Sequence, residues 1–403
     1  MGIEMLKQEG DFPVNDGAGS TITPGYLQSV CARELEGLRA WTEVRHWRLV
    51  VTAAATALSI FISFPGPRWG DLDMKGRAWK ALGKQIGEPF KPRDYPPETH
   101  QAKMSFRLTV PLFVRMTGIG IRGAAALHLV SGVALLYLTV SLAFAATGDR
   151  VTAALAALAT ASTYLGASAF WDTRGYFDAL AICFLLAAMS CRSAPLVGSF
   201  VLLGAFTDER ALVAALFVHL WFVTRGLLRE GSSRRVWMPG PSWGILAAAA
   251  VYAGLRWFLA HRFGLATPVG EAALVGLGPL RGQFGSFPFG VWSILEGLWL
   301  PVLAAIGLLW TRFRLVGACL TGVLVALVLG AHCVWDVTRS GMYVFPVVFI
   351  AAAALADREA RQTLRATYLL SALVCALTPT GHLQANEVLL TRPLFAWIGM
   401  HFW

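Results

Sequence analysis

Apolar runs close to 20 residues long recur from about residue 47 to residue 379, and no other feature constrains the fold as much. A helix needs about 20 apolar residues to cross a hydrocarbon layer about 30 Å thick, where only helices and closed barrels satisfy their own backbone groups. Eleven spans are read, at about 47–65, 123–146, 151–170, 178–191, 195–207, 211–224, 242–261, 289–310, 315–334, 341–356 and 366–379. The expected fold class is therefore all-α, a polytopic transmembrane bundle of about eleven spans. Of the 403 residues, 56% are hydrophobic and 14% charged, against about 25% charged in soluble domains, which excludes a disordered chain and argues against a water-soluble enzyme. The three spans between 178 and 224 are short and carry charges at their ends, which marks 170–211 as a cavity wall.

The net charge of +10 comes from basic residues at the ends of apolar runs and in one long loop, so the expected partner is anionic membrane lipid and not nucleic acid. With a cytoplasmic N-terminus, Arg150, Arg192, Arg225, Arg229, Arg312, Arg358 and their neighbours fall in inner loops and outnumber Arg174, Arg210, Arg262, Arg281 and Arg339 in outer ones. The expected location is the inner (plasma) membrane, crossed many times, with the acidic motifs on the external side. The first 20 residues lack a basic start followed by an apolar core, so no cleaved signal is expected. Six cysteines without a CxxC pair imply neither a disulfide framework nor a zinc site. Three regions result: a cytoplasmic or interfacial segment 1–46, a transmembrane domain 47–380 that includes an external loop 66–122, and an external or interfacial tail 381–403.

Within that loop, 74–87 and 100–118 read as amphipathic surface helices joined by the Pro-rich stretch EPFKPRDYPPE. His100, Lys103 and Arg107 are spaced by three, four and seven, which places them on one face of the second helix. The loop opens with GDLD, so Asp71 and Asp73 stand at the mouth of the bundle, where a carboxylate can take a proton from an attacking hydroxyl or hold a cation against a phosphate. Asp172, Asp178, Asp208, Glu209 and Asp336 fall at external helix ends, and Arg174, Arg210 and Arg339 follow acids in WDTRGYFD, TDER and WDVTR. The TDER segment is expected to break two short helices and turn Arg210 inward onto a carboxylate.

This arrangement of one span, a long external loop opening with Asp and carrying two surface helices, then further spans with acidic-basic motifs, resembles the GT-C-type membrane glycosyltransferases. The resemblance covers about residues 45–360. It implies a sugar donor carried on a polyprenyl phosphate, a glycan, lipid or protein acceptor, inversion at the transferred sugar, and a first-loop carboxylate, Asp71 or Asp73, as catalytic base. GDLD replaces the adjacent acids of many members, and no large soluble C-terminal domain follows. The residues independently suit the same chemistry: cations for the leaving phosphate are available in His100, Lys103, Arg107, Arg256, Arg262 and Arg339. No cofactor is certain, and the choice between no metal and a divalent cation such as Mg or Mn stays open.

Glu296 lies about two turns inside the eighth span and should face a polar cavity or pair with a base. His128, His219 and His332 read as structural histidines. Serine-hydrolase, nucleotide-motor, dinucleotide and HExxH motifs do not occur. Two other readings remain: a secondary transporter coupling ions through Asp208, Glu296 and Asp336, and a non-catalytic membrane assembly subunit.

Overall fold

The computed structural model describes residues 36–63, 74–230, 237–384 and 386–390. The chain is mostly helical, as expected. Among the described residues six helices are long and apolar enough to cross a membrane: Gly120–Thr147, Arg210–Arg229, Gly240–Phe263, Phe284–Arg312, Arg314–His332 and Val337–Ala356. A seventh crossing arises if Arg150–Ala161 and Tyr164–Phe170, bent by 64°, count as one. Trp47–Ile62, Asp178–Ser190 and Ala194–Thr207 are shorter apolar helices. The expected span at 211–224 is longer than read, and the one at 366–379 is a helix Arg361–Leu377 whose first turn is basic and polar. Length and composition thus support a membrane bundle but assign fewer crossings than eleven.

Helix Arg150–Ala161 lies at the centre. Its alanines and Val151 are buried against Gly120–Thr147, Trp47–Ser63 and Arg361–Leu377, because small side chains let four backbones approach. Gly148, at φ 65°, ends the preceding helix by donating its N–H to Phe144, and Asp149 then caps the central one by accepting the Thr152 N–H at 2.9 Å. Asp149 is also gripped by Arg365 at 2.6 and 2.9 Å, so this turn is a buried tie between helices and not a free cytoplasmic loop.

The 66–122 loop departs from its expectation in one respect. Its first surface helix forms at Arg77–Gly87, but 100–118 divides into His100–Lys103 and Thr109–Thr117. Pro111 has no N–H to give to the carbonyl of Arg107, so a helix entering from 100 cannot run through it. Arg107 therefore leaves the face it was expected to share with His100 and Lys103.

The tail also differs. A two-stranded hairpin pairs Gly381–Gln384 with Glu387–Leu390, and its first strand packs on Val337–Gly341 and Phe287–Leu295. His382 and Leu383 are fully buried, so the boundary drawn at 380 cuts through packed structure.

Candidate functional site

Four chain segments, belonging to three connections, meet at one end of the bundle. The first is the turn after Tyr164–Trp171, and the second is the start of Asp178–Ser190. The third is the break between Thr207 and Arg210, and the fourth is the start of Val337–Gly341. The last three bring a carboxylate to the N-terminal side of a helix, where the helix dipole favours negative charge, whereas Asp172 in the first stands at the C-terminus of Tyr164–Trp171.

Arg339 is 2% exposed. It donates to Asp178 at 2.6 Å and to Asp336 at 3.3 Å, and its guanidinium lies 3.9 Å from the centre of the Tyr176 ring. Asp178 also accepts from Arg210 at 2.9 Å and from the Tyr343 hydroxyl at 3.1 Å. Arg210 forks onto both oxygens of Asp208 at 2.7 Å and donates to Ser340 Oγ at 2.8 Å. Arg107 completes the chain, reaching Asp208 at 2.7 Å and Glu209 at 3.1 Å. Asp172 holds Arg174 bidentately, both contacts at 2.6 Å. Asp336 binds His382 Nε2 at 2.9 Å.

These partners govern ionisation. Burial alone would raise the carboxyl of Asp208, but Arg107 and Arg210 outweigh it and hold it well below the usual range. Asp336 is likewise held low: burial opposes, and Arg339 and His382 prevail. Arg107 and Arg174 are raised despite burial, chiefly by Asp208 and Asp172 respectively. His100 moves the other way, down to about 4, through burial and then the nearby Arg339.

The expected acids Asp172, Asp178, Asp208, Glu209 and Asp336 and the arginines at 107, 174, 210 and 339 thus come together in the site. TDER breaks two helices and turns Arg210 inward, as read. Asp71 and Asp73 lie outside the described residues. Three expected phosphate ligands change character. Arg339 is buried and saturated by carboxylates, Arg107 is committed to Asp208 and Glu209, and His100 is neutral near pH 7, its ring tilted against Tyr176 with centres 5.4 Å apart. Among the described residues Lys103 makes no ion pair, and Arg256 bonds Tyr252 and Thr267 over the Phe106 ring without a carboxylate partner.

Glu296 is corrected as well. It faces neither a polar cavity nor a base: it is fully buried where its span breaks, at φ 49°, and accepts the Tyr164 N–H at 2.8 Å. It caps the helix restarting beyond the 64° bend. Tyr176, Tyr343, Ser340 and His382 were missed. Only His382 carried a local signal, in the short strand-like GHLQ, and nothing in that stretch points to Asp336.

Beside the network runs a groove of about 860 Å³ whose walls include Leu108, Val110, Phe184, Phe206, Leu259 and Phe263. Val110 also lines a small void with Arg107 and Tyr176, so one wall residue of the groove borders the charged cluster. Its dimensions and lining suit a long hydrocarbon chain. Among the described residues no group of three or more His, Cys, Asp or Glu is placed to hold a metal. Each of the five acids is held by at least one arginine. No protein-family model matches the chain, and no curated protein or solved structure is detectably similar to it.

Proposed function

We propose that the chain is a GT-C-type membrane glycosyltransferase that moves a sugar from a polyprenyl phosphate onto an external glycan, lipid or protein acceptor. The single observation that carries this reading is the apolar groove whose wall residue Val110 also borders the small void beside Arg107 and Tyr176; Lys103 and Arg256, outside the groove's own lining, are the cations proposed for the donor phosphate. In this reading the groove holds the prenyl chain and the arginine network fixes the loops around the reacting sugar. The five acids of the network are engaged by arginine, so the proton acceptor falls to Asp71 or Asp73. Met74, the next residue in the chain, packs in the cluster of Trp79 and Phe177 beside the 172–178 turn. A divalent cation, if one is used, would draw on the same first-loop carboxylates. The proposal keeps the cytoplasmic N-terminus, the external site and crossings by the shorter apolar helices.

A secondary transporter is the second reading, favoured by one observation: a helix pair bent by 64° meets a span interrupted at Glu296, where Glu296 accepts the Tyr164 N–H, and broken helices are frequent in transporters. One experiment separates them. Lipid-linked sugars and surface glycans are measured by mass spectrometry in cells lacking the gene and in cells carrying the Asp71→Asn, Asp73→Asn double variant. A general base contributes about 10²–10⁴-fold, so both strains should accumulate the polyprenyl-phosphate sugar while the double variant inserts normally and the exposed control Asp94→Asn transfers normally. Unchanged glycans in the double variant at equal protein level would remove the transferase reading.

A further inference from the structure

The opposite end of the bundle holds a second groove, of about 740 Å³, that the transfer reading does not use. Helix Arg210–Glu230 joins the two ends: Arg210 sits in the acidic network and Arg229 lines this groove, about 30 Å away at the usual helical rise. Arg48, Arg192, Arg225 and Arg229 all line it, and among the described residues none of them forms an ion pair; Asp357, which borders Arg225 and Arg229 in the neighbouring pocket, is paired with Arg312. Arg225 instead lies 4.9 Å from the Trp221 ring centre and Arg48 5.2 Å from that of Phe144. Leu142, Met189, Trp221 and Phe222 supply an apolar floor. The Ser141 hydroxyl, also in the lining, is buried without a hydrogen-bond partner.

Helix C-termini account for Arg192 and Arg229 being cations there, but they neutralise only part of four positive charges in one groove. A phosphate diester with hydrocarbon attached fits all these features together. Guanidinium forks match its oxygens, the serine can donate to it, and the apolar floor takes the first methylenes of its chains. We infer that this groove binds the headgroup of an anionic phospholipid from the leaflet at that end of the bundle. The inference stands whether or not the chain transfers sugars.

Native mass spectrometry of the full chain in detergent tests it, with phosphatidylglycerol, phosphatidylcholine and soluble glycerol phosphate as probes. Phosphatidylglycerol should be retained at roughly tenfold lower concentration than phosphatidylcholine, and glycerol phosphate should not displace it. The Arg192→Gln, Arg225→Gln, Arg229→Gln variant should lose that preference, while Arg262→Gln, Arg281→Gln at the other end should keep it. If the triple variant does not fold, Arg192→Gln, Arg229→Gln changes only exposed side chains and should still weaken the preference about threefold. An unchanged preference in either variant overturns the inference, and so does displacement by glycerol phosphate as effective as by free phosphatidylglycerol.

Discussion

Two arginine clusters, one at each end of the bundle, handle positive charge in opposite ways, although Arg312 and Arg365 near the second cluster pair with Asp357 and Asp149. At one, Arg107, Arg174, Arg210 and Arg339 are each matched to carboxylates, and Arg339 and Asp208 are almost wholly removed from solvent. At the other, Arg48, Arg192, Arg225 and Arg229 lie half-buried or exposed and share no acid among them. A guanidinium taken out of water needs a counter-charge fixed in the protein, whereas one at the rim can take its counter-charge from water or a lipid phosphate. The first arrangement therefore builds structure, and the second leaves charge available.

The sharpest way to break this contrast is to remove one partner from the sealed end. Arg339→Gln leaves Asp178 and Asp336 without their shared cation and should cost about 3–5 kcal/mol, read as a large drop in thermal unfolding temperature in detergent. Adding Asp336→Asn should recover part of the loss. A single variant as stable as the parent would mean that the network is not a stabilising unit. A smaller effect is expected in the adjoining groove. Leu203→Trp, placed in its lining, should raise KM for a long-chain donor about tenfold, the worth of about two displaced methylenes, and leave a short-chain donor nearly unaffected.

Acidity should sharpen the contrast further. His100 is held near 4 in the fold against 6.5 in an unfolded chain, so the unfolded state takes up a proton first. Its contribution is complete above about pH 6.5 and shrinks as pH falls toward 4. Asp208 and Asp336 are held below the ordinary carboxylate range, so their contribution is lost only at still lower pH. Unfolding followed against pH should show a shallower slope between 6.5 and 4 in His100→Gln, with the decline below 4 retained. At the open end, Arg192→Gln, Arg229→Gln should change stability by less than about 0.5 kcal/mol in lipid-free detergent.

The helical, membrane-like character of the chain and the convergence of Asp172, Asp178, Asp208 and Asp336 were legible because apolar length and the placement of acids at run ends are local properties. The inward turn of Arg210 was legible for the same reason: a carboxylate two residues away and a helix break are both written in TDER. What escaped was whatever depends on distant partners. Arg339 looked like a free cation because Asp178 is far away in sequence, and His382 looked like tail because its partner Asp336 precedes it by 46 residues. Glu296 was misread because its partner is a backbone N–H exposed by a bend in another helix, and no side chain announces that. The count of spans suffered from bends and short helices, which length thresholds read differently from continuous runs.

The order of the network along the chain has a consequence during synthesis. Asp178 and Arg339 are 161 residues apart, so at about 5–20 residues per second the ribosome delivers the arginine roughly 10–30 s after the acid. Arg210 follows Asp178 by only 32 residues, and arrives within roughly 2–6 s at the same rate. The arginine in TDER is thus the first counter-charge the nascent acid meets, and the deeply buried one joins a pair already made. Arg210 variants should consequently be cleared by cellular quality control before the chain is finished, while Arg339 variants should reach full length and fail afterwards.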